Sequence, residues 1–421
     1  MILNQAENIM LGSTEVQKVY LGSELVWERS RFQLLDFIQT TNQQYFNTGY
    51  FPGENTRIEC EVLLMDNYDN LIQELFGCDN FYIRYNQYGN HSMDVSFGGN
   101  RTTNAVSLPY FRKIRIVMDR QAVSWYDENN QLISRLTLPS GTVYTSYHPL
   151  WVGCRNNNGS VYCFGEFCLY SFRIYENNSL VMDFVPAKRK SDGVSGMLDT
   201  LTEQFYPDEN GNGFLSPMSE DDYQPVSALQ TAGNLYINTG VVHTADTRIV
   251  LDSIPHTAGD SFAYNSTLFG SLLDNAYQSD TWVLWNFSGG RTDKSGVLRR
   301  GQGDELVLSG MNFQTRSVIT AQYNSITMQY PGGESRTMTL SGTAIADGVN
   351  SMYLFHCNSK SSDVPLRRTW SVFYSCQIYE GNVLVRDFIP VRRLSDNALM
   401  LYDRVLKIAF LPHGGNFTEV T

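Results

Sequence analysis

Residues 172–199 read FRIYENNSLVMDFVPAKRKSDGVSGMLD, and residues 377–403 read QIYEGNVLVRDFIPVRRLSDNALMLYD. Without a gap, the two stretches share Ile-Tyr-Glu, Asp-Phe, a proline, an arginine, Ser-Asp and a closing aspartate, all at one offset of 204 residues, as from Ile174 to Ile378. Apolar residues alternate through SLVMDFV and NVLVRDFI, which predicts strands with one buried face. Each copy therefore indicates two strands joined by a short Asn- or Gly-containing turn, followed by a turn that Ser-Asp opens.

The repeat extends well beyond these two stretches. From Arg112 and Arg316 onward the offset stays at 204, whereas the earlier motifs lie 191 to 193 residues apart, so eleven extra residues enter the second copy between Gly270 and Arg316. Insertions concentrate in exposed loops, which also tend to carry binding residues. The earlier motifs are NTG at 47–49 and 238–240, NTRI and DTRI at 55–58 and 246–249, and LFG at 75–77 and 268–270.

The repeat fixes the predicted domain organisation. Residues 31–215 form the first domain, the polar, proline-flanked segment 216–226 forms a stiff linker, and residues 227–421 form the second domain. Short strands at regular spacing without a helical period are typical of antiparallel sandwiches. The sequence thus predicts an all-β protein with two tandem antiparallel β-sandwiches.

A short N-terminal segment, residues 1–30, precedes the first domain. Gly-Ser turns separate three short predicted strands, which are too small to bury a stable core alone. Apolar surface beside open strand edges would have to pack on another chain or on the next domain, and the open edges favour a neighbouring chain. The predicted assembly residues are Val19, Tyr20, Leu25, Val26 and Trp27.

Composition excludes several classes of partner. The net charge of −12 argues against nucleic acid, which needs a basic footprint, and against an anionic membrane surface. No apolar run is long enough for a spanning helix, and the N-terminus lacks the pattern of a secretory signal. The seven cysteines form no Cys-x-x-Cys pair, which favours buried free thiols in a protein made in a reducing cytoplasm.

The motif order resembles the laminin-G-like, concanavalin-A-like jelly-roll modules that are common in phage tail and fibre proteins. It runs NTGY…NTRIE, LFG, PLWVG, an IYE strand, the DF…P…SD segment and a closing GMLD…FY…GNGF. The segment VYLGSELVW at 19–27 resembles the short attachment segments of such proteins. The second copy departs from the closing motif, with LSDNALMLYD and KIAFLPHGGNF in its place. The resemblance implies that both sandwiches are jelly rolls with a virion structural or carbohydrate-binding role; it does not imply a catalytic site.

Sequence motifs for catalysis and metal binding are weak. The Glu-x-Asp-x-x-Glu strand of glucanases on this architecture is absent, as are a Gly-x-Ser-x-Gly elbow and a His-Glu-x-x-His helix. Asp208-x-Asn210-x-Asn212-Gly213 matches the front half of a calcium loop, but position 219 is serine where a bidentate acid is needed. We expect a polar turn there and no cofactor, with calcium elsewhere in the loops as the alternative.

Aromatic residues on strands are the candidate ligand contacts. Sugar binding uses exposed aromatic platforms beside amide and charged groups, which Tyr82, Arg84, Trp285 and Asn286 could supply. Core packing is the competing explanation for each of them. The basic run Lys188-Arg189-Lys190 is interpreted as a solvated turn.

Together these features predict a non-enzymatic phage virion protein, of a tail fibre or a comparable appendage, assembled in the host cytoplasm. Its N-terminus would bind other virion proteins, and its sandwiches would bind a bacterial surface glycan or another virion protein. A homo-oligomer is expected, and a trimer is the first candidate because appendages are commonly threefold. The alternatives are a glycan depolymerase on the same scaffold and a capsid or head decoration protein without a ligand.

Overall fold

The computed structural model describes residues 9–11, 14–16, 18–28, 30–65, 72–85, 93–102, 110–139, 144–218, 222–231, 233, 235–255, 267–272, 282–285, 296–300, 304–308, 312, 314–322, 324–339, 348, 351–359 and 370–420. Every helix or strand assigned within these residues is a β-strand. The chain divides into two compact units, which we call unit 1 (Met1–Leu64 and Ile72–Ser216) and unit 2 (Met65–Leu71 and Pro217–Thr421). No helix in the described ranges has the length and apolarity needed to cross a bilayer.

The N-terminal segment forms two small hairpins. One pairs β1 (Ile9–Leu11) with β2 (Thr14–Val16), and the other pairs β3 (Lys18–Leu21) with β4 (Glu24–Glu28). Within the described residues these strands pair only with each other and join neither sheet of the sandwich that follows.

Unit 1 continues with two large sheets. The larger has the order β15-β14-β13-β8-β19-β20-β21-β22, with β5 on β20 and β6 on β19. The smaller has the order β12-β11-β10-β9-β16-β7, and β17, which is paired with β18, also pairs with β9 in parallel. The strands are β5 (Phe32–Leu34), β6 (Ile38–Gln39), β7 (Phe46–Asn47), β8 (Thr56–Leu64), β9 (Gln73–Cys78), β10 (Phe81–Tyr85), β11 (Met93–Phe97), β12 (Asn100–Thr102), β13 (Lys113–Met118), β14 (Ala122–Tyr126), β15 (Leu132–Thr137), β16 (Trp151–Val152), β17 (Cys154–Asn157), β18 (Ser160–Phe164), β19 (Phe167–Glu176), β20 (Ser179–Arg189), β21 (Ser195–Asp199) and β22 (Phe205–Pro207).

The two sheets of unit 1 pack face to face. Along β8, Ile58, Cys60 and Val62 are buried in the core while the residues between them are partly exposed, as period-two alternation requires. Phe76 of the smaller sheet meets Phe172 of the larger one edge-to-face, with ring centroids 5.4 Å apart. Burial of such side chains from both sheets stabilises the sandwich, at about 25 cal/mol for each Å² of apolar surface removed from water.

Unit 2 repeats this strand order. Its larger sheet runs β33-β32-β31-β26-β36-β37-β38-β39, with β23 on β37 and with β24 on both β36 and β40. Its smaller sheet runs β30-β29-β28-β27-β34-β25, with β35 on β27 in parallel. The strands are β23 (Tyr223–Pro225), β24 (Leu229–Gln230), β25 (Ile237–Val242), β26 (Thr247–Ile254), β27 (Thr267–Leu272), β28 (Trp282–Trp285), β29 (Gly296–Arg300), β30 (Asp304–Leu308), β31 (Ser317–Gln322), β32 (Ser325–Gln329), β33 (Ser335–Thr339), β34 (Ser351–Leu354), β35 (Asn358–Ser359), β36 (Val372–Glu380), β37 (Val383–Arg393), β38 (Leu399–Asp403), β39 (Ile408–Phe410) and β40 (Thr418–Glu419).

Matching strand orders confirm the predicted fold class: the chain is all-β and contains two tandem antiparallel sandwiches of the jelly-roll type. In unit 2, Phe355 and Phe373 meet edge-to-face at 5.6 Å and join the end of β34 to β36. The hairpins β19–β20 and β36–β37 even shift register at the same position, after Ile174 and after Ile378.

The repeated NTR and IYE motifs are neighbours in space. In unit 1, Thr56 Oγ1 donates to Glu176 Oε2 at 3.1 Å, and the Arg57 guanidinium lies 3.9 Å from the centre of the Tyr175 ring. Unit 2 repeats both contacts. The equivalent pairs there are Thr247 with Glu380 at 2.6 Å and Arg248 with Tyr379 at 3.9 Å. These residues therefore join the two central strands of each larger sheet.

The repeated aspartates have structural roles as well. Asp199 Oδ1 accepts the backbone N–H groups of Asp183 and Leu201, at 3.1 and 3.2 Å. In the turn that Ser-Asp opens, Arg189 pairs with Asp192, so this part of the basic run is an ion-paired turn. The equivalents in unit 2 are Asp403 with the N–H groups of Asp387 and Val405, and Arg393 with Asp396.

Part of the predicted linker 216–226 belongs to unit 2. Tyr223–Pro225 forms β23, an edge strand that pairs with Val391–Arg393 of β37. Pro225 is tolerated because an edge strand leaves one side of its backbone unpaired. The stiff linker predicted from proline and acidic residues is thus shorter than expected.

Candidate functional site

Tyr82 and Arg84 lie on the face of the smaller sheet that points away from the core, as alternation along β10 predicts. Each is only 4% exposed. Arg84 Nε donates to Asp94 Oδ2 at 2.6 Å, and the guanidinium of Arg155 lies 4.6 Å from the centre of the Tyr82 ring. Tyr82 therefore does not form the exposed platform that was expected, since the guanidinium groups of Arg155 and Arg84 lie over its ring.

Glu74 lies beside this cluster on β9 and is fully buried. Neither of its carboxylate oxygens accepts a hydrogen bond from any described residue. The Nε of Arg155 lies 3.5 Å from Glu74 Oε1, close enough to form an ion pair but without a hydrogen bond. Burial raises the pKa of Glu74 to about 8, although the positive charges of Arg155 and Arg84 act to lower it.

Glu74 and Asp94 are two carboxylates on one sheet face. Arg84 pairs with Glu74 on one side and with Asp94 on the other, so the two acids lie two strands apart. Both are fully buried, and Asp94 also forms an ion pair with Arg101 at 3.0 Å. In the described structure neither carboxylate faces solvent, whereas a glycosidase places its two carboxylates on either side of a bound sugar.

Of Trp285 and Asn286, the two candidate ligand contacts in unit 2, the structure describes only the backbone of Trp285. Trp285 ends β28, and its backbone pairs with Thr267 and Val297. Its side chain and the whole of Asn286 lie outside the described residues. Ligand binding by these two residues, as by Tyr82 and Arg84, stays a prediction.

The calcium-like sequence at 208–213 forms a turn stabilised by its own aspartate. Asp208 Oδ1 accepts the backbone N–H of Tyr45 at 3.0 Å, and Oδ2 accepts that of Asn212 at 2.8 Å. The Asn210 side chain donates to the Gln43 carbonyl at 2.7 Å. Across the described part of the chain, no three His, Cys, Asp or Glu side chains are grouped so that they could hold a metal ion.

The predicted assembly residues lie in the second N-terminal hairpin. Val19 pairs with Trp27, and Tyr20 pairs with Leu25 after a register shift that lies beside Val26. Val19 is partly buried and Tyr20 is 54% exposed. The side chains of Leu25, Val26 and Trp27 lie outside the described residues, so their role in assembly stays a prediction.

Two exposed aromatic rings mark a surface that the sequence did not single out. Tyr147 is 88% exposed and Phe51 is 52% exposed. A bridge between Gly53 and Thr145, and a hydrogen bond of 2.8 Å from Ser146 N to the Pro52 carbonyl, set an antiparallel register. Phe51 and Tyr147 are the next residues on these two segments, but the register does not continue to them, because Leu150 N donates to the Tyr50 carbonyl at 2.7 Å. The two rings are exposed side chains on neighbouring segments of the chain. We call this pair the aromatic platform.

Asp79 fixes the loop that carries Tyr147. Its Oδ2 accepts the backbone N–H of Tyr147 at 3.2 Å and the Ser146 hydroxyl at 3.0 Å. Its Oδ1 lies 2.7 Å from His148 Nδ1. These contacts hold the loop at three consecutive residues, so the loop loses little conformational freedom when a ligand binds, which favours affinity.

The second copy lacks this aromatic platform. Gly348 N donates to the His243 carbonyl at 2.7 Å, as Ser146 N does to that of Pro52. The residue before His243 is Val242, which takes the place of Phe51, and the residue after Gly348 in the sequence is a second valine, Val349, instead of a tyrosine. The two rings of the aromatic platform in unit 1 thus correspond to two valines in the sequence of unit 2.

Comparisons with known proteins find likeness only in structure. No family model matches the sequence, and no curated protein sequence matches it. Domains LG4-5 of the mouse laminin alpha1 chain match 95% of this chain over 96% of their own length, at 10% identity and a TM-score of 0.28. The LG1-3 region of the laminin alpha2 chain matches 96% of this chain over 69% of its own length, at 9% identity and a TM-score of 0.32. Because both TM-scores are low, the jelly-roll architecture rests on the sheet order and core of this chain.

Proposed function

We propose that this chain is a non-enzymatic binding protein of a phage virion, in a tail fibre or a comparable appendage. Unit 1 binds a glycan of the bacterial surface through the aromatic platform, and residues 1–30 attach the chain to other virion proteins. The observation that carries the binding role is the exposure of the two rings on neighbouring segments, of which Asp79 holds the one that carries Tyr147. Exposed apolar side chains that lie on neighbouring segments favour a binding surface.

Support for the virion role comes from the N-terminal segment. Its hairpins pair with no other strand in the described residues. Three large apolar side chains on them, Leu11, Tyr20 and Leu21, are mostly exposed. An apolar surface beside open strand edges suits contact with another protein. The resemblance of this segment to phage attachment segments points to another virion protein as that partner.

The test is binding of the purified full-length chain to an array of bacterial surface glycans, followed by titration of the best ligand. We expect Tyr147→Ala and Phe51→Ala each to weaken binding about tenfold, equivalent to about 1.4 kcal/mol. The matched control is Val242→Ala at the corresponding position of unit 2, which should leave binding unchanged. Unchanged affinity in both aromatic variants would overturn the site, and no binding to any glycan would favour a decoration protein without a ligand.

A depolymerase is the second candidate, since Glu74 and Asp94 do share a sheet face. We expect no release of reducing ends when the chain is incubated with host polysaccharide. Release by the wild type that is lost in Glu74→Gln would establish the depolymerase and overturn the non-enzymatic proposal.

A further inference from the structure

The sequence contains three Asn-Gly pairs, which begin at Asn158, Asn210 and Asn212. All three asparagines are exposed and lie in turns of unit 1. Asparagine is a thermolabile residue, and it loses its amide group most readily before glycine, because glycine has no side chain to hinder its own backbone nitrogen. Each pair is therefore a candidate site of spontaneous deamidation.

Deamidation begins at the backbone nitrogen of the glycine. This nitrogen gives up its proton and attacks the side-chain amide carbon of the asparagine, so that a new C–N bond forms and the amide nitrogen leaves as ammonia. Water then opens the resulting succinimide ring at one of its two carbonyl carbons, which yields isoaspartate or aspartate. One water is consumed, one ammonia is released and no electrons are transferred. A hydrogen bond that holds the glycine N–H must first break, so it slows the reaction.

In the first pair, a neighbouring amide holds the glycine nitrogen. Asn158 and Gly159 form the turn between β17 and β18, in which Gly159 N donates to Asn156 Oδ1 at 2.8 Å. Asn156 is itself fixed, since it is buried and its Nδ2 donates to the Pro149 carbonyl at 3.0 Å. The attacking nitrogen at Asn158 is thus held by one immobile side chain.

In the last pair, a carboxylate has this role. Gly213 N donates to Asp208 Oδ2 at 3.2 Å, and the same oxygen accepts the N–H of Asn212 at 2.8 Å. The negative charge of Asp208 also disfavours loss of the proton from Gly213 N, because the deprotonated nitrogen would be an anion beside it.

The pair at Asn210 is held at both reacting groups. Gly211 N donates to the backbone carbonyl of Asp208 at 3.3 Å, and the side-chain amide of Asn210 donates to the Gln43 carbonyl at 2.7 Å. Attack at Asn210 needs both contacts to break, whereas attack at Asn158 or Asn212 needs only the contact at the glycine nitrogen to break.

We propose that Asn158 and Asn212 are sites of deamidation in the folded chain, and that Asn156 and Asp208 respectively slow the reaction by holding the proton of the attacking nitrogen. This inference does not depend on the proposed function. Each event would place one new negative charge in an exposed turn of unit 1.

The experiment incubates the full-length chain in mildly alkaline buffer and measures the deamidated fraction at each asparagine by peptide mass spectrometry. We expect Asp208→Ala to speed the reaction at Asn212 about tenfold, which corresponds to a lost contact of about 1.4 kcal/mol, and to leave Asn158 unchanged. Asn156→Ala should do the reverse. Each variant therefore serves as the control for the other site.

The same measurement in urea tests whether the protection belongs to the folded chain. Once unfolded, the wild type and both variants should deamidate at equal rates at each site, and faster than the folded wild type. Unchanged rates at Asn212 in folded Asp208→Ala, and at Asn158 in folded Asn156→Ala, would overturn the proposal. Acceleration of both sites by either variant would also refute it, because that result indicates general loosening of unit 1.

Discussion

At the scale of single residues, the burial of Glu74 makes the stability of the folded protein depend on pH. The pKa of its buried carboxyl is raised to about 8, while in the unfolded chain it lies near the ordinary value. Between these two values the folded protein holds a proton that the unfolded chain has released, so stability falls as pH rises. The contribution of the Glu74 carboxyl to the free energy of unfolding is fully present below about pH 4.5 and is lost by about pH 8.

We therefore expect Glu74→Gln to match the wild type in stability near pH 5 and to exceed it near pH 8, by on the order of 3–5 kcal/mol. Urea unfolding at a series of pH values measures this difference. The exposed Glu128 supplies the control, since Glu128→Gln should follow the wild-type curve. Parallel curves for wild type and Glu74→Gln would show that Glu74 is ionised in the folded protein at neutral pH.

Gly77 offers a second prediction at this scale. A Cβ added there would lie 2.6 Å from Tyr82 Cβ and 3.0 Å from Arg155 Cγ. Gly77→Ala should therefore cost about 1–3 kcal/mol of stability, measured by urea unfolding. Gly53→Ala is the matched control because its Cβ would meet only a carbonyl oxygen at 3.8 Å, an ordinary contact. Equal stability of the two variants would mean that Tyr82 and Arg155 can move aside freely.

Residue roles were harder to predict than strand positions. Alternation placed Tyr82 and Arg84 on one face correctly, but it could not show that Arg155, more than seventy residues later, would cover that face. The aromatic platform was missed because Phe51 and Tyr147 lie in loops, where no periodicity marks an exposed side. Asp208 was interpreted correctly as part of a turn, since the sequence lacks the acid that a calcium loop requires.

At the scale of elements, the loops after β21 and β38 depend on one aspartate each. Asp199→Ala would leave the partly buried N–H groups of Asp183 and Leu201 without their acceptor, which should cost about 2–4 kcal/mol. Asp403→Ala should do the same in unit 2. Hydrogen exchange, mapped by peptide, measures which unit each variant destabilises.

The control for these two variants is another aspartate of the repeated segment. Asp192→Ala removes an exposed ion pair and should change exchange little. If Asp199→Ala loosened unit 2 as strongly as unit 1, the aspartate would not be acting locally.

The sequence was most informative about the positions of strands and hairpins. The gapless offset of 204 residues identified both hairpins, and alternation identified their buried faces. Alternation did not reveal β23, because three residues that include a proline are too few to show a period of two. The strand exists only through its pairing with β37. Long-range pairing of this kind is decided by the folded neighbour.

At the scale of the whole molecule, residues 1–30 are predicted to drive assembly. Deleting them should leave residues 31–421 folded and monomeric, since the four N-terminal strands pair with no strand of either sandwich in the described chain. Sedimentation of the full-length and truncated chains measures this, with a trimer as the expected full-length species. Assembly of the truncated chain into the same oligomer would place the contact in the sandwiches.

The two central strands of each larger sheet have a consequence for synthesis on the ribosome. Thr56 meets Glu176, 120 positions later, and Thr247 meets Glu380, 133 positions later. The first sandwich therefore cannot close until most of its length has emerged, and contacts so distant along the chain form slowly. Because β19 lies about 200 residues before its equivalent strand β36, β8 meets its own partner before the rival strand of the following repeat is synthesised. The order of synthesis would then help to keep strands of the two repeats from pairing wrongly and aggregating.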